Sequence, residues 1–142
     1  MWWIHALVMF FGMIGIQVFA MPYLMADRPA HVYFSITQAW MGAAMGAAMV
    51  ALGGALHPMP WWGWLLCVVI GAAACVGYRW QIFVSDREYL REMIPHHSMA
   101  ILTSRPRLAS KNPLIARLAE QIAVAQKREI GEMQALLANK LV

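Results

Sequence analysis

The chain has 142 residues, 61% of them hydrophobic and 13% charged, about half the ~25% charged fraction of an ordinary soluble domain, which argues against a wholly water-soluble fold. Its net charge of +4 does not mark a nucleic-acid binder, because the basic residues of the second half alternate with acids and lack an interleaved aromatic platform. Before Arg79 the only charged side chains are Asp27 and Arg28, so the sequence reads as a membrane region over residues 1–84 and a wet region over 85–142.

Trp2 to Met25 carries no charge and is long enough to cross a hydrocarbon layer, which takes about 20 helical residues. A cleaved signal peptide is the rival reading, but "MWWIHA" has no Lys or Arg, so the segment is expected to be a retained span. His5 then falls at headgroup level. The polar connection "ADRPAH" leads to a second span over Val32–Leu56, in which Gly42 and Gly46 form GxxxG beside four alanines. Such a face lets two helix backbones approach closely, and a tightly packed neighbour is expected. Met41, Met45 and Met49 recur every four residues along this span, a stripe read as adaptable packing ahead of a thioether path for copper.

The short "HPMP" connection precedes a third span, Trp61 to Val84, with Trp61, Trp62 and Trp64 at one end and Tyr78 and Trp80 towards the other. These aromatics are placed like the belts at the two membrane interfaces. Cys67 and Cys75 lie in one apolar run, about 12 Å apart along a helix, too far to bridge; they read as packing residues. Arg28, Arg79, Arg87 and Arg91 bias the tail towards the cytoplasm by the positive-inside rule.

Ser85-Asp86-Arg87-Glu88 fits a capping box and predicts a helix start. Leu90, Met93, Ile94, His97, Ala100, Ile101 and Ser104 then keep helical rhythm, and Pro95 predicts a kink just before the histidines. "RPRLASKNP" reads as a loop ending in the cap pair Asn112-Pro113. A long helix to about Lys140 is expected to pack along Ile115, Leu118, Ile122, Ala125, Glu129, Met133 and Leu136. Glu129 would be a carboxylate within that apolar row, needing a partner or a metal, or else a residue snorkelling at its edge. Two helices alone bury little surface, so the hairpin should lean on the membrane bundle or on a second copy, as in a four-helix bundle.

Met93 and His97 share one helix face, His96 and Met99 the next, and Glu129 and Met133 are again four apart. Closure of the hairpin could set Met93, His96 or His97, Met133 and Glu129 around one cavity. Thioether and imidazole suit copper, Cu(I) above all, while a satisfied core histidine with soft packing is the plainer alternative. Other chemistries fit worse: there is no H-E-x-x-H, a di-iron centre needs two E-x-x-H pairs whereas Glu92 precedes His96 by four with no second copy, and there is no strained elbow around Ser98. No enzymatic activity is expected.

"MIPHHSMAI", followed about thirty residues later by "IAVAQKREIGEM", resembles the bacterial family catalogued as domain of unknown function 305. Its M-x-x-H-H-x-x-A-I helix is matched by Met93, His96, His97, Ala100 and Ile101, and its Q-x-x-E-I-x-x-M helix by Gln126, Glu129, Ile130 and Met133. The preceding spans are similar to a membrane-anchored branch of that family. The resemblance implies a bacterial cell-membrane protein whose hairpin is half of a ferritin-like four-helix bundle, with copper held by His and Met. Two departures stand out. Soluble members often repeat the motif, whereas this chain has one copy, and members are commonly exported, against the cytoplasmic tail read from charge.

The expectation is therefore an all-α protein with three transmembrane helices and a C-terminal hairpin, lodged in a lipid bilayer and binding or buffering copper through Met93, His96, His97 and Met133, with Glu129 as ligand or supporting partner. It is expected to form a homo-oligomer or join a larger membrane complex. The alternative function is a structural or accessory subunit that docks through the glycine face of the second span.

Overall fold

The computed structural model describes residues 2–139, and these are helical throughout apart from turns and connections. Five helices follow in chain order: α1 (Trp2–Met25), α2 (Ile36–Leu56), α3 (Trp61–Arg79), α4 (Asp86–Ser104) and α5 (Pro113–Ala138). Lys140, the expected end of the last helix, lies outside the described residues. The first three helices are long and apolar enough to cross a membrane, making this a multi-pass membrane protein. Two compact units form: residues up to Met21 with Ser35–Val84, and Pro22–Phe34 with the chain from Ser85 onward.

In the first unit α1 runs as a π turn over Ile16–Ala20, directly before Pro22. A proline crowds the turn that precedes it and cannot donate into it, so widening that turn is the local relief. The π turn carries Gln17, buried in an otherwise apolar helix, with its amide 4.0 Å from the sulfur of Met41. The expected close neighbour of the glycine face is α1 itself: a Cβ at Gly42 would stand 2.8 Å from Ile14 Cα, and one at Gly46 would stand 2.9 Å from the Phe10 carbonyl oxygen. That face is filled from within the chain, which removes it as a free docking surface. Met45 and Met49 are exposed on this unit while Met41 is half-buried, so the methionine stripe does not line an interior path.

Ser35 caps α2, its hydroxyl accepting the Gln38 amide at 3.4 Å. The helix ends where Pro58 holds His57 extended (φ −131, ψ 136). α3 stops at Arg79, shorter than the span expected to reach Val84, because Gln81 and Phe83 take positive φ (52 and 64), a conformation that breaks helix in L residues. Trp40 braces this turn: its indole lies on Gly77, 2.7 Å from where a Cβ would be, and its N–H donates to the Ile82 carbonyl at 3.0 Å. Cys67 and Cys75 are both free thiols.

In the second unit the Ser85 hydroxyl caps α4 by accepting the Glu88 amide at 3.3 Å, and Asp86 and Glu88 fill the first turn, where negative charge is favoured. The helix carries through the buried Pro95 as one element. Asn112 caps α5, accepting the Leu114 amide at 3.0 Å ahead of Pro113. Leu90, Ile94 and Ile101 of α4 pack with Ile130 and Met133 of α5, and Tyr33, Met93 and Leu137 close round them.

The packed face of α5 is turned one residue from the expected one. Ala119, Ile130 and Met133 are buried and Ala116, Ala123, Gln126 and Leu137 half-buried along one seam; of the expected row Met133 is buried and Ala125 and Glu129 are half-buried, whereas Ile115, Leu118, Ile122 and Leu136 are exposed. The alternating three-and-four spacing is a regular seam. Its small residues let the helices approach, and the larger side chains beside them are left outside.

Candidate functional site

The expected ligands occupy three neighbouring settings in the hairpin. Met93 and Met133 belong to one apolar cluster, Met133 inside it and Met93 packed against it. His97 is four residues on from Met93, and its Nδ1 lies 2.9 Å from the Met93 carbonyl oxygen. A carbonyl only accepts, so Nδ1 carries the hydrogen and, in the neutral ring, Nε2 presents a lone pair. That lone pair faces the hairpin partner: His97 Nε2 and Glu129 Oε2 are 3.2 Å apart.

Two electron-pair donors so close are reconciled by a proton or a cation between them. Backbone fixing of Nδ1–H is also the means by which metal-binding histidines are oriented. Glu129 is 38% exposed in its side chain, because the rotated seam puts it at the edge of the packed face. It is the edge residue of the two expected alternatives, not a carboxylate sunk in an apolar row.

His96 is held elsewhere. Its Nε2 pairs at 2.9 Å with Glu92 on the preceding turn, and Glu92 is 9% exposed in its side chain. The hydrogen bond that the His96 ring donates to Glu92 raises the His96 pKa above its ordinary value; burial works against this and the carboxylate charge adds to it. A regular helix turns adjacent residues about 100° apart, so His96 looks to its own helix while His97 looks to α5. Among the described residues no three His, Cys, Asp or Glu side chains converge as a metal-holding group.

A polar knot that sequence patterning missed sits in the same unit. Ser98 is 0% exposed; its hydroxyl donates to Asp27 Oδ1 at 2.7 Å and accepts the Asp27 amide, also at 2.7 Å. His31 Nδ1 lies 2.7 Å from the same carboxylate oxygen and 3.0 Å from the hydroxyl. Arg105 donates to Asp27 Oδ2 at 2.7 Å, with Arg28 3.5 Å away. Burial alone would push the Asp27 carboxyl up, but the Ser98 and His31 hydrogen bonds and the His31 and Arg105 charges outweigh it and hold the pKa below the ordinary 3.8.

The serine proton goes to the Asp27 carboxylate, and the His31 ring nitrogen is within hydrogen-bond reach of both the hydroxyl and that same oxygen, so the three side chains hold one another in place. Gln134 adds a hydrogen bond to the Ala30 carbonyl at 3.2 Å. The connection between the first two spans is thereby tied to the hairpin. One signal was available: Asp27 and Arg28 are the only charges in the first 78 residues.

Residues 81–140 match the family model of the domain of unknown function DUF305. An uncharacterized protein of Acanthamoeba polyphaga mimivirus is 47% identical over 63 residues, 44% of this chain and 41% of that protein. The chain thus spans less than half the length of that relative. No solved structure matches.

Proposed function

We propose that this chain is a membrane-anchored copper-binding protein whose hairpin holds or buffers Cu(I). The observation that carries the reading is His97: its Nδ1–H is fixed on the Met93 carbonyl while Nε2 meets Glu129 across the hairpin, beside a cluster that contains Met93 and Met133. One imidazole and two thioethers form a soft, mostly neutral set that favours Cu(I) over hard cations. Glu129 supplies the charge that offsets the bound ion, and His96 stands by on the neighbouring face, released if Glu92 is protonated or displaced. The match of residues 81–140 to the family supports this reading. The exposed Ile115, Leu118 and Ile122 of α5 would suit a second copy, completing four helices in the manner of a ferritin-like bundle.

The test is metal analysis of the full-length protein in detergent, loaded anaerobically with Cu(I) against a chromophoric chelator. His97→Ala, and separately Met93→Leu with Met133→Leu, should each lower hairpin affinity at least tenfold, with Glu129→Gln milder. Equal copper in wild type and all three variants would end the proposal.

A further inference from the structure

The three-span unit holds a second group of soft donors that the hairpin reading does not use. At the start of α1 and the end of α2 a cleft of about 760 Å³ opens, and its walls include His5, Met9, His57 and Met59. None of its lining residues is charged, and residues 1–26 and 29–78 contain no Asp, Glu, Lys or Arg at all.

All four side chains line this one cleft. His5 and Met9 are one helical turn apart and share a face of α1. The thioether of Met9 lies on Gly53, its sulfur 3.5 Å from where a Cβ would stand. Met59 lies on the next residue, Gly54, with its sulfur 3.1 Å from the Cβ position there and 3.0 Å from that of Gly63. Met9 and Met59 are thus seated against adjacent positions of α2. The absence of side chains at 53, 54 and 63 is what admits them. His57 follows three residues after Gly54, held extended before Pro58. His5 and His57 are exposed, and Met9 and Met59 half-buried, so the imidazoles stand nearer solvent than the sulfurs. Packing on glycine accounts for the methionines, but it does not call for two imidazoles in the wall of the same cleft.

We infer that this cleft is a binding site for a soft monovalent cation, Cu(I) or Ag(I), taken by the thioethers of Met9 and Met59 with the imidazoles of His5 and His57. The donor set decides the class of ion. Four neutral donors in an apolar wall cannot offset the desolvation of a hard divalent ion, and Zn(II) is bound chiefly through thiolate, imidazole and carboxylate. Thioether and imidazole together select a soft ion. The site is independent of the hairpin and stands or falls separately from it.

The experiment uses the full chain in detergent with the hairpin silenced by Met93→Leu, His96→Ala, His97→Ala and Met133→Leu, titrated with Ag(I) and, anaerobically, with Cu(I). One equivalent should remain. It should weaken at least tenfold on adding Met9→Leu with Met59→Leu, and also on adding His5→Gln with His57→Gln, a pair at exposed positions that leaves the packing alone. X-ray absorption of the bound ion should show sulfur neighbours, and a tenfold excess of Zn(II) should not displace it. Unchanged Ag(I) affinity in both added variants, an ion shell of nitrogen and oxygen only, or ready displacement by Zn(II) would each overturn the assignment. Wild-type protein that binds no more metal than the silenced chain would instead count against the hairpin proposal and leave this one standing.

Discussion

The two units solve helix packing by opposite means. In the three-span unit the closest contact is backbone on backbone, with Gly42 and Gly46 of α2 admitting Ile14 and Phe10 of α1. The hairpin unit has a small apolar core of Leu90, Ile94, Ile101, Ile130 and Met133, and beside it the buried polar knot on Asp27. The difference follows from the solvent. Lipid tails are as apolar as leucine, so association inside a bilayer depends on close fit and offers no reward for burying more hydrocarbon. In water a two-helix core is marginal, and a satisfied charged network adds what the core lacks, provided every member is partnered.

The sharpest way to break this contrast is to fill the glycine face. Gly46→Leu would drive a side chain into the Phe10 carbonyl oxygen and Cα, 2.9 and 3.2 Å from the first added carbon, and backbone cannot yield as a flexible side chain can. Overpacking of this kind costs about 1–3 kcal/mol or more. We expect thermal unfolding of the three-span helices in detergent to shift far down, with helix signal from the hairpin retained. An unshifted transition would mean that α1 and α2 do not meet at these glycines.

Asp27→Asn strikes the other unit. It removes the charge that Arg105 meets and leaves the buried Ser98 hydroxyl facing a weaker acceptor, at a cost of about 2–3 kcal/mol as for hydrogen bonds to a charged group. Protease cleavage in residues 22–34 should accelerate, and the three-span transition should not move. The pH dependence has a defined sign. With the folded pKa held below the ordinary 3.8, the stabilisation is present above about pH 4 and is lost as the pH falls through the lowered value. Acid should therefore loosen the wild-type connection and make little difference in the Asn variant. Ser98→Ala should reproduce the loss in smaller measure, about 1–2 kcal/mol, since it strips one donor from the carboxylate and one acceptor from the Asp27 amide.

The elements that were legible in the sequence are those written locally. An uncharged run of span length, the cap at Ser85 and the Asn112-Pro113 start each act within a few residues, though the second span begins at Ile36 and not Val32 and the third ends at Arg79 and not Val84. The first half of the α5 seam departs from the expectation because the large side chains at 115, 118 and 122 dominate any hydrophobic pattern, while the more covered positions there are the alanines 116, 119 and 123, which such a pattern discounts. The shift of one position also explains why Glu129 stands at an edge. The polar knot had no periodic signature, since its partners lie 71 residues apart from Asp27 to Ser98 and 78 from Asp27 to Arg105. The doublet His96-His97 was visible, but only the Glu92 contact on the preceding turn separates the two rings into different tasks.

That separation provides the mildest test. His96 is raised in pKa by its bond to Glu92, so its stabilising contribution is complete below about pH 6.5, the ordinary value, and is lost as the pH rises through the raised one. His96 is 37% exposed in its side chain, and a solvent-screened pair of this kind contributes about 0.5 kcal/mol or less. Nuclear magnetic resonance titration of the His96 ring should place its midpoint above that of an unfolded-chain histidine, and Glu92→Gln should bring it down. Because His97 meets Glu129 across the hairpin and not Glu92, the same substitution should leave hairpin copper affinity nearly unchanged. A loss of copper affinity in Glu92→Gln to match that of His97→Ala would mean that the two histidines act as one group, and the division of labour drawn along α4 would have to be abandoned.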